Sequence, residues 1–348
     1  MDKKISVLIV DDSALVRQLL ADIISKDREL EVAGLARNGV EAIKLTRETD
    51  PDVITMDIYM PEMDGLSALE YIMKKLPRPV VMLSVLTKSG AAPTLKALEL
   101  GAADFVAKPT QFPTSVAGVS EEVLDKIKTA ALSRAGQTWE RSRRARPPKR
   151  LKMKKGDVRG GRMVVIGASA GGPIALQAII PALPAALPAY VAIVQHMPGP
   201  FTGSFAERLG SKARLEVKEA VSGEVLKEGR ALLAPGGQDM VFDRVDERRV
   251  RALTQATVAR HGASPVIDVT MESAAQVFGE KTVGVLLSGM GNDGALGLGM
   301  IKDAGGETIA QNEETSLVYG MPRAAIERKL ADTVLPLEEI AQAIVEKV

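Results

Sequence analysis

Two sets of side chains in this 348-residue chain have types and spacings that suit chemistry: Asp11, Asp12, Asp57 and Lys108 early on, then Ser169, His196 and Asp293. Two adjacent carboxylates with a third at a neighbouring strand end concentrate negative charge, and an all-oxygen donor set that keeps some water suits Mg2+. With such a cation bound, Asp57 is able to attack a phosphoryl donor and become an acyl phosphate. Lys108 and the Ser84 hydroxyl are placed to hold the new oxygens. In the second set, Ser169 sits in Gly167-Ala168-Ser169-Ala170-Gly171-Gly172, a Gly-x-Ser-x-Gly turn between a strand and a helix, where small neighbours let a carbonyl reach the hydroxyl. His196, just past another strand, reaches the same sheet edge, and a serine hydrolase here would draw its general base from His196 or His261. Asp293, after a third strand, is placed to orient the imidazole and stabilise its protonated form.

Each residue taken singly has a plainer reading. Asp11 or Asp12 alone would serve as a cap for the helix starting near Ser13, and Asp293 as a cap for the helix after it. The glycines around Ser169 fit a phosphate-binding loop or a tight turn equally well. Gly289, Gly291 and Gly294 spell a dinucleotide fingerprint, with Glu313 or Glu314 about twenty residues on. That rival leaves Ser169 and His196 without a role. The order Ser, His, Asp also differs from that of the α/β-hydrolases, in which the acid precedes the histidine.

The elements that must position these groups are legible as alternating patterns. Short β-branched runs at Val7 to Val10, Val32 to Ala36, Val53 to Met56, Val80 to Leu83 and Asp104 to Val106 alternate with amphipathic stretches, which predicts a doubly wound α/β domain on a five-stranded parallel sheet. In such a sheet reactive groups collect at the carboxyl ends of the strands, where Asp11, Asp12, Asp57, Ser84 and Lys108 fall. Thr110 to Val158 breaks the pattern, with one helix near Glu121 to Leu132 and a basic run from Arg141 to Lys155 containing Pro147-Pro148. That segment reads as a solvated linker between domains. From Gly161 a second α/β pattern runs, with strands at Met163 to Ile166, Tyr190 to Val194, Ala231 to Leu233, Val241 to Phe242, Val250 to Leu253, Val283 to Leu287 and Thr308 to Ala310. Helices are expected near Pro173 to Ile180, Pro200 to Leu209, Val266 to Phe278, Asp293 to Asp303 and Pro322 to Arg328. The expected division is a first domain over residues 1–122, a flexible basic linker over 123–158 and a second domain over 159–348.

Composition agrees with two cores: 348 residues at 46% hydrophobic content exceed what one domain usually needs. Cys is absent, so disulfides are excluded, and two His are a meagre supply for zinc. The net charge of +1 conceals a distribution. Residues 1–122 carry 14 basic and 19 acidic side chains, 123–158 carry 12 and 3, and 159–348 carry 19 and 22. The basic run lacks interleaved aromatics, which disfavours nucleic acid or anionic lipid as its partner. The opening apolar run, Ile5 to Val10, is too short for a secretory signal, and no stretch is long enough to span a bilayer, so a cytoplasmic protein without membrane insertion is expected.

Residues Asp57-Ile58-Tyr59-Met60-Pro61-Glu62-Met63-Asp64-Gly65-Leu66, together with Ser84 and Lys108-Pro109, resemble the response-regulator receiver domain over roughly residues 4–122. The resemblance implies a flavodoxin-like sheet and phosphorylation at Asp57. It implies Mg2+ on Asp12, Asp57 and the backbone carbonyl of Tyr59, with Asp11 assisting through water, and Ser84, Phe105 and Lys108 as the phospho-switch. Tyr59 departs from the polar or acidic residue common there.

Over roughly 161–347 the chain resembles chemotaxis protein-glutamate methylesterase. The matching stretches are Ile166 to Ser169 with Gly171-Gly172-Pro173, Gln195-His196-Met197-Pro198, Ala234-Pro235-Gly236-Gly237, Leu287 to Gly291 with Asp293-Gly294, Thr308 to Gln311, and Tyr319-Gly320-Met321-Pro322. By that resemblance Ser169 is the nucleophile, His196 the general base and acid, Asp293 the orienting carboxylate, and the Met290 backbone part of the oxyanion hole. The esterase needs no cofactor. The implied partners are chemoreceptors (methyl-accepting chemotaxis proteins) as substrate and a chemotaxis histidine kinase as phosphodonor, with no nucleic acid and with recruitment to receptor clusters. Ala170 and Asp239 are departures: a hydroxyl residue is frequent at the first position and a histidine at the second. His261 is a second candidate histidine, expected to line the site or pack. One chain with both sites suggests that phosphorylation at Asp57 relieves inhibition of the esterase. A docking protein that has lost esterase activity is the alternative.

Overall fold

The computed structural model describes residues 3–85, 87–108, 116–133, 151, 161–257 and 264–348. The chain forms two compact units, residues 1–144 and 145–348. Of the expectations above, His261, Pro109 and most of the basic linker lie outside the described residues.

In the first unit the strands β1 (Ile5–Val10), β2 (Leu30–Ala36), β3 (Val53–Asp57), β4 (Val80–Ser84) and β5 (Asp104–Ala107) alternate with helices α1 (Ala14–Lys26), α2 (Gly39–Thr49), α3 (Gly65–Lys75), α4 (Lys88–Glu99) and α5 (Val116–Ala131). The sheet is parallel in the order β2-β1-β3-β4-β5. Val7 to Val10, Val53, Ile54 and Met56 are fully buried, as strands covered on both faces require. The strand order reverses between β1 and β3, so the carboxyl ends of these two strands flank the crevice where such sheets bind ligands. Side chains of Ser13, Asn38, Asp64 and Thr87 cap the four helices that follow β1 to β4.

One boundary moves. The helix expected near Glu121 inside the linker is α5, which starts at Val116 and packs on β3, β4 and β5 with Val123, Ile127 and Ala130 buried. Its apolar face completes the core of the first unit, so the chain is structured past residue 122, as far as Ala131.

The second unit contains β6 (Arg162–Ala168), α6 (Gly172–Ile179), β7 (Ala189–Gln195), α7 (Gly199–Lys212), β8 (Glu216–Glu219), β9 (Glu224–Val225), β10 (Arg230–Leu233), β11 (Gln238–Arg244) and β12 (Val250–Ala256). It continues with α8 (Ile267–Phe278), β13 (Thr282–Leu286), α9 (Ala295–Asp303), β14 (Glu307–Gln311), α10 (Met321–Glu327), β15 (Thr333–Leu335) and α11 (Leu337–Lys347). Seven parallel strands run in the order β15-β14-β13-β6-β7-β10-β8. The runs at Val241 and Val250 instead form a separate antiparallel sheet, β11-β12-β9.

β8 and β15, unexpected from the sequence, are the two edges of the large sheet, and α11 was likewise unforeseen. An edge strand such as Glu216-Val217-Lys218-Glu219 is half solvated and charged, so it lacks an apolar run. Val165, Val194, Leu286, Ile267, Met271 and Leu298 belong to one buried cluster between sheet and helices, behind the β6, β7 and β13 ends that carry the candidate site.

Candidate active site and phosphoryl-acceptor site

β6 ends at Ala168 and hands Ser169 to the sheet edge. The Ser169 amide donates to the Ser288 carbonyl (3.0 Å), and the Ser169 carbonyl accepts from the Gly172 amide (2.8 Å) as α6 begins. Gly171, at φ +76°, makes the left-handed turn into that helix. The neighbouring β7 ends at Gln195, and the His196 amide still pairs with the Ala168 carbonyl (3.1 Å), which sets the imidazole beside the serine. His196 Nδ1 lies 3.0 Å from Ser169 Oγ, and His196 Nε2 lies 2.8 Å from Asp293 Oδ2. Asp293 accepts at Nε2, so Nε2 carries the proton and Nδ1 is free to accept one from the serine.

Asp293 is not the cap of α9. Gly294 occupies that position, and the Asp293 carboxylate turns instead to α8, taking the Ile267 amide on Oδ2 (2.8 Å) and the Asp268 amide on Oδ1 (3.0 Å). A helix N-terminus presents free N–H groups and partial positive charge to an anion. Burial pushes the Asp293 carboxyl up, but the His196 bond, its charge and the two amides outweigh burial and hold it below its ordinary value.

Two further residues hold this edge together. The Gln195 side-chain amide donates to the Ser169 carbonyl (2.9 Å) and to the His196 carbonyl (3.1 Å), tying these two residues together through their backbones. Ser288 Oγ donates to the Ala170 carbonyl (2.7 Å) and accepts from the Val318 amide (2.9 Å). Met290 lies on the loop between β13 and Asp293, 43% exposed. Gly289 precedes it with no room for a side chain: a Cβ there would stand 2.2 Å from Met321 Sδ and 2.8 Å from Ser169 Cβ. The Gly289-x-Gly291-x-x-Gly294 loop does run from a strand to a helix as a dinucleotide loop would. Its carboxylate, however, is committed to His196, and the Gly289 amide to Val318.

In the first unit, Asp11 and Asp57 are buried and Asp12 is exposed, and one carboxylate oxygen of each lies within 4.8 Å of the others. Lys108 Nζ stands 2.6 Å from Asp11 Oδ2 and 2.8 Å from Asp57 Oδ2. Asp11 Oδ2 is buried and held by this ion pair. Three carboxylates gathered this closely, an all-oxygen donor set, fit a hard divalent cation. Asp57 Oδ1 accepts from the Ile58 amide (2.7 Å), and Gly65 packs so tightly behind the strand end that a Cβ would stand 1.9 Å from the Asp57 carbonyl oxygen. Burial raises the Asp57 carboxyl above its ordinary value; the Lys108 ammonium opposes this and the Asp11 charge adds to it. Burial lowers Lys108, but the two carboxylates overcome that and leave it raised.

Arg17, which sequence reasoning missed, donates from Nη1 to the carbonyls of Asp11 (2.7 Å) and Asp12 (3.0 Å) and fixes the acidic turn. Ser84 Oγ sits 2.6 Å from Thr94 Oγ1, a partner on α4 that no motif signals. Phe105 is buried, with the Lys126 ammonium 5.1 Å from its ring centroid and 2.6 Å from its carbonyl oxygen. Tyr59 follows β3 with its ring exposed.

Comparison with known proteins locates both units. The family model described as CheB methylesterase matches residues 164–344, and that described as response regulator receiver domain matches residues 7–119. A Pyrococcus horikoshii protein named protein-glutamate methylesterase/protein-glutamine glutaminase is 47% identical over 350 residues, covering 100% of this chain and 95% of its own. A Carboxydothermus hydrogenoformans protein of the same name, numbered 2, is 47% identical, covering 99% of each chain. The crystal structure of the Thermotoga maritima CheB methylesterase catalytic domain, 41% identical, aligns with a TM-score of 0.53 over 54% of this chain and 100% of its own.

Proposed function

The chain belongs to the CheB methylesterase family, and from that premise we propose that Ser169, His196 and Asp293 hydrolyse methyl-glutamate esters on chemoreceptors under control of a receiver unit phosphorylated at Asp57. The observation that carries this reading is the continuous relay from Ser169 Oγ through both ring nitrogens of His196 to Asp293, with steps of 3.0 and 2.8 Å.

The chemistry follows from the arrangement. His196 Nδ1 takes the Ser169 proton as Oγ attacks the γ-carbonyl of the methyl-glutamate. The resulting oxyanion is held by backbone N–H donors near Met290. Protonated His196, stabilised by Asp293, returns the proton to the methoxy oxygen, and methanol departs. Water, deprotonated by the same imidazole, then cleaves the acyl-enzyme and releases the glutamate carboxylate and free Ser169. A glutamine amide passes through the same steps with ammonia leaving.

In the receiver unit Asp57 accepts the phosphoryl group of a histidine kinase. Mg2+, held by Asp12, Asp57 and the Tyr59 carbonyl, with Asp11 engaged through water, would supply charge neutralisation for the transferred group. Lys108 and Ser84 take the new phosphoryl oxygens, and Phe105 changes its packing in response. The site of action is the receptor cluster at the cytoplasmic side. No helix among the described residues is long and apolar enough to cross a membrane.

The test is methanol release from methylated receptor membranes, with and without a small-molecule phosphodonor and Mg2+. Release requires Ser169 and rises with phosphodonor only when Asp57 is present. Release that survives Ser169→Ala would overturn the assignment of the nucleophile, and receptor binding without any release would favour the docking protein.

A further inference from the structure

Asp239 is a buried carboxylate, 1% exposed, that the triad itself does not use. It is the second residue of β11, the strand that follows the Ala234 to Gly237 turn. Oδ1 accepts from the Val266 amide (2.7 Å) and from Thr257 Oγ1 (2.9 Å), and Thr257 Oγ1 lies 3.0 Å from Ser264 Oγ. Val266 is the residue immediately before α8. The next two amides, Ile267 and Asp268, are the pair that seats Asp293. Three successive amides at one helix start are thus divided between two buried carboxylates: the first goes to Asp239 and the others to Asp293. On its far side the same turn is fixed by Asp268 Oδ1, which accepts from the Gly297 amide of α9 (2.7 Å).

We propose that Asp239 is a positioning residue for the esterase: by clamping Thr257 and Val266 to the start of β11, it holds the first turn of α8 where the Ile267 and Asp268 amides fix Asp293 against His196. The inference rests on the esterase reading of that site. The geometry favours a role for the carboxylate beyond packing. Both of its described partners belong to the connection between β12 and α8, and that connection must end in register with Asp293 for His196 to meet Ser169. A hydrogen-bond acceptor is required at Val266 because a buried amide left without one is costly.

The test uses the full-length chain and the rate at which a fluorophosphonate labels Ser169, a readout independent of the natural substrate. Asp239→Ala is expected to slow labelling about ten- to a hundredfold, the scale of a small misplacement of catalytic groups. Asp239→Asn, which keeps an acceptor oxygen, is expected to stay within about threefold of the wild type. Thr257→Val, which removes one of the two bonds, falls between them. In an Asp293→Ala background, Asp239→Ala adds no further loss if it acts through Asp293. Full additivity there, or an Asn variant as slow as Ala, would overturn the proposal. Should Asp239→Ala fail to melt cooperatively, Thr257→Val decides alone, and an unchanged rate in it also overturns the proposal. Methanol release by the wild type, run in parallel, tests the esterase reading separately: a labelled but unproductive wild type strikes that reading and leaves the clamp measurable.

Discussion

Asp293 Oδ2 serves His196 Nε2 and the Ile267 amide at the same distance, 2.8 Å. One oxygen therefore ties the imidazole to a helix N-terminus, and the orientation of the His196 ring depends on how α8 begins.

Asp293→Asn is expected to lower kcat for methanol release by about ten-thousand-fold with little change in KM, because an amide in place of the carboxylate favours the wrong imidazole tautomer. Initial rates on methylated receptor membranes measure it. A loss confined to KM would mean that Asp293 binds substrate instead of orienting His196.

The same carboxyl is held below its ordinary 3.8 in the fold. It therefore contributes stability to the second unit that is fully present above pH 3.8 and is lost as pH falls through the lower folded value. Thermal unfolding of wild type and Asp293→Asn at a series of pH values should show a gap that closes in acid. A gap unchanged down to about pH 3 would contradict the shift.

Asp57 has the opposite sign. Its folded carboxyl lies above 3.8, so ionisation opposes folding and its cost appears as pH rises through the folded value. Asp57→Asn should melt at a higher temperature than wild type near neutrality while losing its response to phosphodonor. Mg2+ at about a hundred times its Kd should add about 2.7 kcal/mol to the wild-type receiver and much less to Asp12→Ala. Calorimetry of the full chain, with Asp12→Ala as reference, reads both effects.

Gly289→Ala should reduce esterase activity more than it reduces stability. The added methyl meets Sδ of the unbranched but fully buried Met321 side chain, and Ser169 Cβ, which cannot shift without moving the Ser169 hydroxyl. A cost of about 1–3 kcal/mol is typical of such overpacking. A variant with wild-type turnover and lowered melting temperature would place the crowding at Met321 alone.

Much of this arrangement was legible because the two units announce themselves differently in sequence. Val7 to Val10 and Val53 to Met56 are buried on both faces, so each reads as an apolar run and its end marks the crevice. Asp11, Asp57, Ser169 and His196 stand within a residue or two of such ends, which is why their convergence follows from strand order alone. Thr94 and Arg17 carry no comparable signal: Thr94 acts through a hydroxyl contact to Ser84 from α4, and Arg17 through the backbone carbonyls of Asp11 and Asp12.

The sequence by itself showed the two α/β units and set Asp11, Asp57, Ser169, His196 and Asp293 after strands of those units, because parallel strands put every carboxyl end on one edge whatever the details of packing. Only the tertiary structure decided that Asp293 leaves the helix it precedes and is held by α8, and that Asp239 takes the amide just before that pair. It also put the β11 and β12 runs in a sheet of their own. These relationships join residues 26 and 27 positions apart through buried amides of the backbone. Backbone amides are common to nearly every residue and leave no trace in side-chain identity, so their partners become visible only when the chain has folded.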